Sequence, residues 1–236
     1  AALISSGASL SLDGNYTINQ PIDCHGSLSL AGTWTNNSTI SVTAGALTLG
    51  GTWTNAGTFA LNGSTWTIGG TYTSEGNFTA VATSRTYYGA FPGNFLAADT
   101  STGDIFLAGA SFTNATLHAS GGAAFRHNIN STSLTLNGCT LAGPLIASAC
   151  SPIIVSNSLI LDDATISLAS SASCGNAALR FDSGIQTITG TGQVLIKNSL
   201  PTSASLQISN NASLTIAEGV SIICPPDAPT GGAISV

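Results

Sequence analysis

Two adjacent carboxylates, Asp162 and Asp163, form the most conspicuous group in this chain that could do chemistry. Paired carboxylates perform the general acid and base steps in enzymes that hydrolyse polysaccharides. In the repeat of the chain, however, "LDDAT" falls where other copies read "LAGTW" and "LNGCT", which is a turn position. Asp is favoured in turns because its side chain hydrogen-bonds the nearby backbone. We therefore interpret the pair as turn residues and expect no catalytic residue in the chain.

The second group combines His118, Arg126 and His127 with Asp99 and Asp104, which are close in the sequence. Metal sites built from histidine need ligands at defined spacings, and this group matches none of those templates. We interpret the segment as a solvated loop. The sequence therefore predicts no metal site and no cofactor.

Charge is scarce along the whole chain. Of its 236 residues 6% are charged, with four basic residues against ten acidic ones. Binding to nucleic acid requires clustered Lys and Arg, so this balance excludes it. No run of about 18 apolar residues is present to span a membrane as a helix. The chain has no methionine and starts without the basic segment of a signal peptide, which favours a mature secreted product or a fragment.

An internal repeat organises the first third of the chain. The motifs "GTWTN", "GTWTN" and "GTYTS" place Trp34, Trp53 and Tyr72 at equal intervals, and Tyr16 precedes Trp34 by nearly the same interval. Apolar residues at every second position predict strands with one buried face, and the glycine pairs predict turns. Such a unit suffices for one circuit of two or three short strands, and successive circuits stack at about 4.8 Å. We expect the four rings to stack inside as a core ladder.

The predicted fold class is all-β, a β-solenoid or parallel β-helix of roughly ten or eleven coils with little or no helix. We expect the whole chain, residues 1–236, to be a single solenoid. Residues 1–83 should form regular coils of about 18–19 residues each. Residues 84–130 should form an irregular part with loop insertions, and residues 131–236 looser coils.

The units "GTWTNNSTI", "GTWTNAGTF" and "GTYTSEGNF" resemble the repeats of β-solenoid surface proteins such as bacterial filamentous adhesins and autotransporter passenger domains. The likeness covers residues 10–78 well and the remainder loosely. It implies an extracellular, elongated protein without catalytic activity. Two features depart from it, because those adhesins usually lack cysteine and because the chain is rich in glycosylation sequons.

The sequons predict covalent glycans on an extracellular surface. Asn15 is the first candidate because it occupies an outward position of the repeat. The further candidates are Asn37, Asn62, Asn77, Asn114, Asn130 and Asn211. The overlapping sequon at Asn36 is expected to be an internal asparagine, in a ladder with Asn55.

Five cysteines fit an oxidising compartment. Cys150 and Cys174 are separated by the length of one loosened coil and are the expected internal disulfide. Cys24 lies in the first coils and Cys224 in the last, so a disulfide between them could cross a junction between subunits. This assignment leaves Cys139 free.

The two chain ends are strand-like and nearly chargeless, and an uncapped solenoid exposes a strand edge at each end. We therefore expect the chain to be a secreted structural subunit of a glycosylated extracellular filament or surface appendage, with copies of itself as partner. The alternatives are a monomeric adhesin or glycan-binding module, then a polysaccharide lyase or hydrolase, and then an ice-binding protein. The ice-binding alternative rests on outward Thr-x-Thr pairs, which are similar to those of several insect antifreeze proteins.

Overall fold

A computed structural model describes residues 1–74, 77–81, 84–92, 95–99, 103–127, 133–148, 151–169, 177–197, 204–209, 212–224 and 233–235. Every regular element in these ranges is a β-strand, and none is a helix. The strands pair in parallel and form a β-solenoid, which confirms the predicted fold class. In the described ranges the paired strands form five levels from Ala2–Ile4 to Asn77–Val81 and six levels from Ile105–Thr113 to Ala233–Ser235, in line with the ten or eleven coils expected from the sequence.

The chain divides into two compact units. The first contains Ala1–Ala90 and Asp99–Ile105, and the second contains Phe91–Ala98 and Phe106–Val236.

The strands up to Pro92 are short. They are β1 Ala2–Ile4, β2 Ser9–Leu12, β3 Asn15–Ile18, β4 Ile22–Cys24, β5 Ser27–Leu30, β6 Thr33–Asn36, β7 Thr39–Thr43, β8 Ala46–Leu49, β9 Thr52–Asn55, β10 Thr58–Asn62, β11 Thr65–Ile68, β12 Thr71–Ser74, β13 Asn77–Val81 and β14 Ser84–Pro92.

Each coil of the first unit has three strands, which lie on three faces. The first face is the ladder β1-β4-β7-β10-β13. The second is β2-β5-β8-β11, continued by Ser84–Tyr87 of β14, and the third is β3-β6-β9-β12. Because equivalent residues pair without a shift, the regular spacing of the sequence becomes vertical columns of identical or similar side chains.

The later strands include several long ones. They are β15 Phe95–Ala98, β16 Ile105–Thr113, β17 Thr116–Ala119, β18 Phe125–His127, β19 Leu134–Ala147, β20 Ile153–Ala169, β21 Ala178–Phe181, β22 Ile185–Lys197, β23 Ser205–Ile208, β24 Ser213–Ile216, β25 Val220–Ile223 and β26 Ala233–Ser235.

In the second unit the coils turn their corners inside long strands. β19 pairs with β20 along most of its length, with register shifts between Asn137 and Cys139 and between Ala142 and Pro144. β20 then pairs with β22, and β22 with β24 and β25. From β20 onward longer stretches of chain separate paired residues than in the first unit, so those coils are longer. In β20, for example, Leu159 pairs with Ile188.

The interior is apolar in both units because side chains alternate between the two faces of each strand. In the first unit the inward residues include Leu28, Leu47 and Trp66, which follow one another along the second face and are 1% exposed each. One corner of that unit is a column of glycines at positive φ. Gly32 and Gly51 have φ values of 80° and 76°, a conformation that costs other residues energy.

Candidate functional site

Asp162 and Asp163 lie at a corner of β20 and are both exposed. Asp163 has a φ of 48°, and the register with β22 shifts between Asp162 and Ala164. The Thr191 hydroxyl donates a hydrogen bond to Asp163 Oδ1 (2.7 Å), and the Asp163 N–H donates to Thr191 Oγ1 (3.2 Å). Asp163 is therefore a turn residue that joins two coils, as its position in the repeat predicts.

The segment with His118, Arg126 and His127 is not a solvated loop, and that interpretation was wrong. His118 lies in β17 and Arg126 and His127 lie in β18. Since side chains alternate along a strand, His118 and Arg126 are half-buried on the outer side while His127 is fully buried. In the part of the chain that the structure describes, no three His, Cys, Asp or Glu side chains are grouped as metal ligands.

The four aromatic residues of the repeat are stacked inside the first unit. Ring centroids are 6.3 Å apart for Tyr16 and Trp34, 5.1 Å for Trp34 and Trp53, and 4.4 Å for Trp53 and Tyr72, with planes within 12° of parallel. This is the arrangement that their spacing predicts. Each tryptophan of the stack also donates its indole N–H to a backbone carbonyl, Trp34 to Gly50 (3.1 Å) and Trp53 to Gly69 (3.1 Å).

The sequence reasoning missed a second aromatic cluster beside this stack. Phe59 meets Trp53 edge-on, with the ring centroids 6.1 Å apart. It meets Trp66 at a tilt of 43°, with the centroids 5.7 Å apart. Trp66 occupies a column that holds leucine in the two preceding coils, so the repeat itself does not mark it as aromatic.

Asn36 and Asn55 form the internal ladder expected of them. Both are 0% exposed, and the Asn36 Nδ2 group donates to Asn55 Oδ1 (2.7 Å) and to the Ser38 carbonyl (2.9 Å). Because the amide nitrogen is buried and hydrogen-bonded, Asn36 in the folded chain is not accessible for glycosylation.

Four of the predicted glycan sites are exposed, namely Asn15, Asn37, Asn62 and Asn114. Asn37 Nδ2 donates to Asn19 Oδ1 (3.0 Å) at the surface. Asn77 is the first residue of β13, but its side chain is not described. Asn130 and Asn211 lie outside the described residues.

Three cysteines fall within the described residues, and all are free thiols. Cys24 is fully buried, in register between Ile4 and Val42. Cys139 is also buried, and burial raises the pKa of both thiols. Cys224 is exposed. A disulfide from Cys24 to another subunit would therefore require displacement of Ile4. The predicted pair Cys150 and Cys174 lies outside the described residues.

The first coil has an open edge. In the described residues β1, β2 and β3 each pair on one side, with the second coil. Their inward side chains Leu10, Leu12 and Tyr16 are half-buried. The residues with which these three pair are at most 2% exposed, namely Leu28, Leu30 and Trp34. The hydrophobic core is therefore incomplete at this edge.

The far end of the second unit has a similar edge at β24 and β25, whereas β23 of the same coil is covered by β26. β24 and β25 pair with β22 on one side, and no further described strand pairs with them. Ile216 is 42% exposed although its partner Ile188 is fully buried, and Ile222 is half-buried although its partner Val194 is fully buried.

The third face of the first unit carries an outward row of threonines. Thr33, Thr52 and Thr71 are exposed and pair with one another in register. Asn15 continues the row in the first coil.

The described ranges contain no helix long and apolar enough to cross a membrane. Comparisons of the chain with protein-family models, with curated proteins and with solved structures find no match.

Proposed function

We propose that this chain is a non-catalytic, secreted structural subunit of a glycosylated extracellular filament or surface appendage, in which copies stack coil on coil through their open edges. The observation that carries the proposal is the pair of edges whose inward side chains are left partly exposed, Leu10, Leu12 and Tyr16 on one and Ile216 and Ile222 on the other.

Both edges offer the same kind of contact. Each presents unpaired backbone groups of parallel strands and a row of apolar side chains, so stacking would extend the hydrogen-bond ladder and complete the core. Little charge opposes it, since the side chains of residues 1–19 include one charged group, Asp13, and those of residues 204–236 two, Glu218 and Asp227. A contact between two different edges repeats without closing and produces a filament.

The exposed sequons support the extracellular part of the proposal. Asn15, Asn37, Asn62 and Asn114 are exposed, so the folded chain leaves them accessible for glycosylation. Glycans would also give solubility to a surface with few charges.

A proline at the open edge tests the proposal. The carbonyls of Ala8 and Leu12 accept hydrogen bonds from the second coil, so the intervening Ser11, by strand alternation, directs its N–H to the open side. Ser11→Pro removes that donor and blocks pairing at the edge without breaking a bond inside the chain. Ser11→Ala keeps the N–H and is the matched control.

Sedimentation velocity of the three proteins gives the result. We expect the wild type and Ser11→Ala to form large, concentration-dependent species, and Ser11→Pro to sediment near the 23.4 kDa monomer with an unchanged circular dichroism spectrum. A monodisperse wild-type monomer would reject stacking and leave a monomeric adhesin or glycan-binding module.

A second candidate, ice binding, is favoured by the threonine row. Thr33, Thr52 and Thr71 repeat at the rung spacing of about 4.8 Å on one face. Crystal shaping in supercooled water tests it. Thr52→Lys should abolish shaping if this face binds ice, whereas Thr65→Lys, exposed on the second face, should not. Absence of shaping by the wild type rejects this candidate.

A further inference from the structure

The first coil, β1 to β3, and the coil formed by β23, β24 and β25 share a sequence pattern. The segment "ISSGASLSL" begins at Ile4, and the segment "ISNNASLTI" begins at Ile208. The correspondence continues without insertion or deletion into the next strand, where Tyr16 of β3 matches Val220 of β25. β1, β2 and β3 therefore correspond one to one to β23, β24 and β25.

The corresponding segments also form the same corner. The Ala8 N–H donates to the Ser5 carbonyl (3.0 Å) between β1 and β2, and the Ala212 N–H donates to the Ser209 carbonyl (3.1 Å) between β23 and β24. Each corner fixes where the second strand begins relative to the first. If β2 of one copy lies on β24 of another, β1 of the first copy is therefore brought to β23.

A parallel contact must match in two respects, because side chains alternate between faces and backbone groups alternate between neighbouring strands. The Ser213 N–H donates to the preceding coil, so Leu214 directs its backbone groups to the open side. On β2 the open side receives the N–H groups of Ser9 and Ser11. With Ser9 opposite Ser213, the Ser11 N–H meets the Leu214 carbonyl, and the half-buried Leu10 lies on the half-buried Leu214 inside.

β1 and β23 match in the same two respects. The Ser205 and Ser209 N–H groups donate to the preceding coil, so the intervening Leu206 directs its carbonyl to the open side. The Ile4 carbonyl accepts from the second coil (2.8 Å), so Leu3 directs its N–H to the open side. In the shared register the Leu3 N–H therefore meets the Leu206 carbonyl.

The place of β1 on β23 is occupied in the free chain. β26 pairs there in parallel, with Ile234 opposite Leu206 and Ser235 opposite Gln207. These are the positions that the shared register gives to Ala2 and Leu3 of an incoming copy. One of the two strands must give way when β2 and β3 pair with β24 and β25.

We propose that copies of the chain join by strand exchange, in which β1, β2 and β3 of one copy pair with β23, β24 and β25 of the next and β1 takes the place of β26. The inference rests on the proposed function, because it specifies the register of that stacking. β26 then limits association, since the complete edge is available only in molecules from which β26 has left.

Cysteine cross-linking tests the register. Paired strands are about 4.8 Å apart, within the Cα separation that a disulfide spans, whereas a displacement by two residues brings the separation to about 8 Å. In a Cys224→Ser background with oxidised glutathione as oxidant, Ser9→Cys combined with Ser213→Cys should give covalent multimers on a non-reducing gel. Ser9→Cys combined with Thr215→Cys is the matched control, since all three positions are exposed. Equal cross-linking of the two variants, or none in either, would overturn the register.

Removal of β26 tests the exchange. One variant lacks residues 225–236, and a second, Ser235→Pro, loses the N–H that by strand alternation bonds β26 to the Leu206 carbonyl. Ser235→Ala keeps this N–H and is the matched control. If β26 is absent from at most about 10% of free molecules, its removal should lower the concentration required for stacking by about tenfold or more.

Sedimentation velocity over a concentration series measures that change, with circular dichroism to verify the fold of each variant. We expect the truncated chain and Ser235→Pro to form large species at about one tenth of the concentration that the wild type and Ser235→Ala need. Stacking of all four proteins at one concentration would overturn the exchange and leave the proposed function intact. Stacking of the two altered chains alone would support the exchange and reject the filament for the intact chain, and stacking of none would overturn both.

Discussion

Replacement of Gly51 by alanine should destabilise the first unit strongly, because two separate costs coincide at this corner. Gly51 has a φ of 76°, and a left-handed conformation costs a non-glycine residue about 1–2 kcal/mol. An added Cβ would also lie 2.0 Å from the carbonyl oxygen of Gly32 in the preceding coil. Overpacking of this kind costs about 1–3 kcal/mol. The expected total is about 2–5 kcal/mol.

Two other glycines separate these costs. A Cβ on Gly63 meets nothing within 4 Å, but its φ is 55°, so Gly63→Ala should lose about 1–2 kcal/mol from the backbone alone. A Cβ on Gly50 meets its nearest atom, the Leu30 carbonyl oxygen, at 3.8 Å, without a positive φ. Gly50→Ala should therefore be neutral or stabilising by about 0.4–1 kcal/mol.

Thermal and urea denaturation followed by circular dichroism measure the series. For a chain of this size about 1 kcal/mol corresponds to a Tm shift of about 2–4 °C. We expect the order of stability Gly50→Ala, Gly63→Ala, Gly51→Ala, with Gly51→Ala at least about 4 °C below the wild type. If Gly51→Ala matched Gly63→Ala, close approach of the coils at this corner would not be limiting, and the reasoning would be refuted.

Three further predictions concern the stack, its ionisation and the glycans. Trp53→Ala should cost about 3–5 kcal/mol in urea denaturation, since it removes a buried ring between two others; a cost below about 1 kcal/mol would contradict a tight stack. Burial raises the pKa of Tyr16 from 10.0 to about 12. Because the folded state then binds this proton up to a higher pH than the unfolded state, the free energy of unfolding should fall as the pH rises from about 10 to about 12. Titration of the Tyr16 phenolate absorbance near 10 in the folded chain would contradict this. From a glycosylating secretory host the intact mass should exceed 23.4 kDa and decrease in Asn15→Gln, while Asn36→Gln should leave the glycan mass unchanged; a bare mass would reject glycosylation.

The fold of the first unit was predictable because similar residues recur at a constant interval in the sequence, which favours a stack of identical coils. Trp34, Trp53 and Tyr72 recur at a constant interval, and a stack of identical circuits brings them into contact. Alternation of apolar and polar residues then fixes which side is buried. The same alignment places Asp163 at a corner, where a side-chain hydrogen bond to Thr191 explains it.

His127 was not predictable for a physical reason. A histidine beside Arg126 is typical of a solvated surface, and its partners are backbone carbonyls 20 and 24 residues away that no residue type marks. The corners of the second unit were not predictable either. Coils of the second unit differ in length because corners form inside long strands, as between Asn137 and Cys139, and a fixed repeat does not measure them.

Electron microscopy of the purified wild-type chain tests the central claim, stacking through open edges, most directly. We expect filaments in which strands lie across the axis and repeat at about 4.8 Å without interruption at subunit junctions, and no filaments from Ser11→Pro under the same conditions. Dispersed single particles of the wild type, or filaments that persist in Ser11→Pro, would contradict it.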